Sequence, residues 1–91
     1  MAQYIVYKIT HKNPNIDFLY LGYTGNFETK YIAHKCFSND TNNMNTLYLT
    51  IRKYGGWSCV NMEIINSYDC FVDMKQSYEE NLIILKPTMY Q

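Results

Sequence analysis

The stretch Leu19–Lys35, LYLGYTGNFETKYIAHK, constrains this chain more than any other. Phe18 to Leu21 is a short apolar and aromatic run, as a strand requires. Gly22 and Gly25 then permit backbone conformations that a side chain would block. Asn26 is a good helix cap, and Phe27, Tyr31 and Ile32 recur at helical spacing behind it. A strand that passes through a glycine turn into a helix sets exposed backbone N–H groups beside polar side chains. Such a place favours a phosphate. Many unrelated folds share this arrangement, so the stretch does not define a function by itself.

The remaining elements follow from similar signals. Tyr4 to Thr10 alternates Ile5, Tyr7 and Ile9 with Tyr4, Val6 and Lys8, the pattern of a strand with at least one buried face. His11 to Asp17 holds Asn-Pro-Asn and reads as a loop. Phe18 to Tyr23 is the second strand, forming an antiparallel hairpin with the first. Asn26 to about Phe37 is the first helix. The polar segment Ser38–Asn45 is a loop, and Asn45 or Thr46 caps a second helix that runs through Tyr54. Gly55-Gly56 supplies a left-handed stop. A third strand lies within Trp57–Ser67. Asp73 is the expected cap of a last helix to about Leu85, and Pro87 prevents much extension. The order β-β-α-α-β-α predicts a single α+β domain over residues 1–91, with a small three-stranded antiparallel sheet flanked by helices.

Composition narrows the function classes. Ten of the 91 residues are tyrosine, so polar ends can be built into a core with few charges. No apolar run is long enough for a membrane span, and no signal peptide is legible. The expected setting is intracellular: cytoplasm, nucleus or virion. Cys36, Cys59 and Cys70 are far apart and odd in number, which argues for free thiols. The net charge is zero but unevenly placed. Residues 1–60 carry six cations against three anions, and residues 61–91 carry two against five. The first group could form a basic face for a phosphate backbone, or it could be ordinary solvated surface.

Two strands and the first helix together resemble the GIY-YIG nuclease family. Ile5-Val6-Tyr7 stands where that family has Gly-Ile-Tyr, and Tyr20-Leu21-Gly22 stands where it has Tyr-Ile-Gly. The match continues through Thr24, Phe27 and His34, and through Ile51-Arg52-Lys53-Tyr54-Gly55-Gly56-Trp57. The resemblance implies phosphodiester hydrolysis of DNA assisted by one divalent metal, Mg²⁺. It implies that Tyr7 and Tyr20 assist proton transfer, with their hydroxyls near one shallow concave surface. His34 matches a position where the family often has histidine on the first helix, Lys30 one turn earlier is expected to reach the same concavity, and Gly22 fits close backbone approach at the strand end. A cation and a metal would then offset the charge that builds on the phosphate.

The same comparison exposes departures. Lys30 stands where the family has an arginine; the charge survives, but the planar fork that grips two phosphate oxygens does not. Counting back from Leu85-Lys86-Pro87 puts Tyr78 at the position of the metal-binding glutamate and Tyr90 at that of a terminal asparagine. Sliding by one residue recovers Glu79 and brings Gln91 near the asparagine, yet it turns the helix by about 100°. Leu82 and Leu85 should face the core and hold the ungapped register. Two functions follow. One is a non-catalytic module that binds DNA or other proteins of a larger assembly; the other is an active endonuclease. Small stand-alone domains similar to this occur in large DNA viruses, and the Asn-, Tyr- and Ile-rich composition suits an AT-rich genome of that kind.

Overall fold

The computed structural model describes residues 3–91. Strand β1 (Tyr4–His11) pairs antiparallel with β2 (Leu19–Thr24), setting Tyr7 opposite Gly22 and Ile9 opposite Tyr20. On its other side β1 pairs antiparallel with β3 (Val60–Tyr68). The register slips between Val6 and Tyr7, where Ile65 is the extra residue of a bulge. The two-residue period of β1 sends Ile5, Tyr7 and Ile9 to one face and Val6 to the other. Helices α1 (Phe27–Asn39) and α2 (Thr46–Lys53) accompany the first face, where Leu47, Tyr48, Ile51 and Trp57 complete the core. Helix α3 (Phe71–Leu85) covers the second face through Met74 and Tyr78, with Leu82 and Leu85 partly buried beside them. Tyr7, Ile9, Leu21, Ile51 and Met74 are among the fully buried side chains. Removing an aliphatic or aromatic side chain of this size from water contributes roughly 1.5–3 kcal/mol.

Local chemistry sets the helix ends. The Asn26 side chain accepts from the Thr29 N–H at 3.1 Å, and the Asn45 side chain accepts from the Leu47 N–H at 3.0 Å. Gly55 and Gly56 follow α2 at φ 111° and 90°, conformations that favour glycine. Arg52 turns back from α2, and its guanidinium donates to the carbonyl oxygens of Phe37, Ser38, Asp40 and Asn43. One cation thus closes the end of α1 and organises the following loop.

Two sequence expectations are corrected. The sheet has a fourth strand, β4 (Met89–Tyr90), which runs parallel to β2 with Met89 beside Tyr20 and Tyr90 beside Leu21. The strand order is β3-β1-β2-β4, so the sheet is mixed rather than purely antiparallel. The cause lies at the end of α3. Lys86 adopts a left-handed conformation (φ 49°), and the chain comes back along the free edge of β2. The second correction concerns the cap of α3. Cys70 occupies that position without a side-chain bond, and Asp73 lies inside the first turn. There its charge complements the helix dipole instead. Among the described residues, no helix is long and apolar enough to cross a membrane.

Candidate functional site: a histidine bridged by tyrosines

Four of the residues singled out from the sequence meet on the α1–α2 face of the sheet. Tyr7 and Tyr20 project from neighbouring strands, with ring centroids 6.3 Å apart. His34 reaches them from α1, at 5.8 Å from each ring. Its Nε2 atom is 2.8 Å from the Tyr7 hydroxyl, and its Nδ1 atom is 2.9 Å from the hydroxyl of Tyr48 on α2. Trp57 stacks on the same imidazole at 6.3 Å and 22°. Gly22 lies directly beneath: a Cβ at that position would fall 2.6 Å from both Cζ and the hydroxyl oxygen of Tyr7. Glycine at residue 22 is therefore needed to seat the Tyr7 ring, and the space above it is filled by that ring.

The electrostatics are those of a buried, neutral cluster. His34 is only 2 % exposed, and burial lowers its pKa to about 4, assisted by the nearby charge of Lys30. The imidazole is thus neutral at pH 7, with one donor and one acceptor nitrogen. One phenol must donate to its bare nitrogen and the other accept from its N–H. Burial pushes the Tyr20 phenol up to about 12 and raises Tyr7 further above the ordinary phenol range. Tyr48 is raised as well, again by burial. Such phenols hold their protons at neutral pH. Tyr7 has no exposed surface, and Tyr20 retains 8 %. The Tyr7 hydroxyl is therefore closed off in the core rather than lining an open concavity, as the resemblance implied, while Tyr20 keeps a small exposed edge.

On α3 the two candidate positions differ in burial. Tyr78 is 2 % exposed and packs against Tyr23 at 4.8 Å, while Glu79 and Glu80 lie on the outer side of α3. The Tyr78 hydroxyl donates to the main-chain oxygen of Gln91 at 2.5 Å. The Gln91 side chain accepts from the Tyr23 N–H at 3.1 Å, and its Oε1 atom would be 3.0 Å from a Cβ on Gly22. Gln91 therefore borders the tyrosine cluster, whereas Tyr90 is 64 % exposed. Lys30 sits one helical turn before His34 and is partly buried.

The residues at hand do not suit a magnesium ion. Mg²⁺ asks for hard oxygen donors, usually including one or two carboxylates. The side chain at the expected ligand position is a core phenol that donates its proton, and Glu79 is directed outward. Among the described residues no three His, Cys, Asp or Glu side chains are grouped to hold a metal. Sequence reasoning missed Tyr48 and Arg52 as organising groups. Tyr48 carried a weak signal, as a tyrosine on the helix after His34, but nothing local marks its hydroxyl as the imidazole's second partner.

Fold and site together define an α+β domain with a mixed four-stranded sheet and a buried Tyr–His–Tyr cluster. No protein-family model, curated protein or solved structure matches the chain.

Proposed function

We propose that this chain is a GIY-YIG-like domain whose catalytic apparatus has become structural, and that it serves as a binding component of a larger assembly. The observation that carries this reading is Tyr78. A phenol buried at 2 % exposure, donating to Gln91, replaces the carboxylate on which metal-assisted hydrolysis depends. The buried, fully protonated Tyr7 supports it, because a phenol without exposed surface cannot meet a phosphate. Lys30 supplies a point charge without the arginine fork. Exposed apolar side chains on both helical layers, such as Ile32, Val72, Ile83 and Ile84, favour protein contact as the retained role.

The active-endonuclease reading has one observation in its favour. Tyr7, Tyr20 and His34 are brought together as a reacting cluster would need. A nicking assay on supercoiled DNA with Mg²⁺ and Mn²⁺ separates the two. No metal-dependent nicking is expected, and sustained nicking would replace the binding reading with the catalytic one.

A further inference from the structure

The sheet separates two helical layers of opposite charge. On the α1–α2 side, Lys30, Lys35 and Lys53 outnumber Glu28 and the α1 cap residue Asp40. Arg52, the remaining cation there, is held by the loop carbonyls. On the α3 side, Asp73, Glu79 and Glu80 are exposed. The one cation of α3, Lys75, is drawn back over the rings of Tyr23 and Tyr78, at 4.4 and 5.0 Å, and donates to the Tyr23 hydroxyl. The outer surface of α3 thus carries three acids, offset at its C-terminal end by the exposed Lys86.

Each layer also presents apolar anchors among its charges. On α1, Ile32 is 53 % exposed and has Lys35 one turn away; on α2, Leu49 is exposed one turn before Lys53. On α3, Val72, Glu79 and Ile83 fall along one stripe with Glu80 and Ile84 beside it, and Ile83 and Ile84 are 76 % and 73 % exposed. Apolar anchors within a field of one sign are the composition of a specific contact surface.

We propose that the partner for these surfaces is a second copy of this chain, with the acidic α3 layer of one copy docked on the basic α1–α2 layer of the next. The chain carries both halves of a charge-complementary contact on opposite faces while remaining neutral as a whole. Because the two patches differ, the contact is head to tail. It generates a ring or an open stack rather than a two-fold dimer. The charge layout carries this whether or not the tyrosine cluster cleaves anything.

Sedimentation equilibrium over a range of protein concentrations, at low and high salt, tests it. The unmodified chain should exceed monomer mass at low salt and return towards it at high salt, where screening is stronger. Glu79→Lys with Glu80→Lys should be monomeric alone, and so should Lys35→Glu with Lys53→Glu. All four sites are exposed, so circular dichroism should show both variants folded. Mixing the two variants in equal amounts should restore association, since each then offers the sign the other lacks. Three results would overturn the proposal: a monomer at every concentration in low salt, association indifferent to either reversal, or no recovery on mixing. A chain that stays monomeric yet binds a DNA duplex through Lys35 and Lys53 would assign the basic layer to nucleic acid instead.

Discussion

The Nε2 atom of His34 lies 2.8 Å from the Tyr7 hydroxyl, joining α1 to the central strand across 27 positions of the chain. The other ring nitrogen holds Tyr48. A single neutral imidazole therefore satisfies two buried phenols. Replacing it by alanine leaves both without a partner and opens a cavity. His34→Ala should cost about 3–5 kcal/mol. Urea unfolding at pH 7 measures this, and a loss under 1 kcal/mol would mean that the phenols find other partners.

The same residue makes stability depend on pH. His34 protonates at about pH 4 when folded, against an ordinary value of 6.5. Between those values the unfolded chain binds more protons, so stability rises with pH there. The groups facing the imidazole are Tyr7, Tyr20, Tyr48 and Trp57, with Lys30 on its own helix, and none offers a compensating negative charge. On lowering the pH from about 7 to 4, His34 should remove about 3 kcal/mol. His34→Gln, unfolded in urea at both pH values, should flatten this part of the profile. An unchanged profile would assign the loss to other groups.

Gly22→Ala tests the seating of Tyr7. The new methyl would lie 2.6 Å from the ring, and the ring is fully buried, so either strand or side chain must move. A loss of about 1–3 kcal/mol is expected, read as a fall in thermal midpoint. A neutral substitution would show that the phenol has room to shift.

Arg52→Lys should loosen the segment after α1 without unfolding the domain. A lysine cannot reach four carbonyls as the guanidinium does. Amide exchange should accelerate at residues 40–45 and stay unchanged in β1. Equal acceleration in both would indicate a global effect.

Much of this fold is written in local signals. The hairpin of β1 and β2, the caps at Asn26 and Asn45, and the stop at Gly55-Gly56 all depend on residues close in sequence. β4 was not legible, because two residues carry no periodicity and their pairing depends on where α3 delivers the chain. The bulge at Ile65 was hidden for a similar reason, since β3 alone cannot reveal a slip against β1. At the site, the alternation of β1 placed Tyr7 on the strand, and the turn placed Tyr20 beside it. Burial of His34 was not readable, since a histidine on a helix carries no mark of which face is covered. Arg52 was counted towards a basic face, but its carbonyl partners lie 9 to 15 positions away and no local pattern links them.

The proposal of a GIY-YIG-like domain that has lost its metal ligand is tested most directly by comparing the unmodified chain with Glu79→Ala on supercoiled DNA in Mg²⁺. Glu79 is exposed and belongs to no core contact, so the substitution leaves the fold intact. Both proteins are expected to leave the DNA supercoiled, equally and at every metal concentration. Efficient Mg²⁺-dependent nicking by the unmodified chain, abolished in Glu79→Ala, would contradict the proposal by making Glu79 a metal ligand.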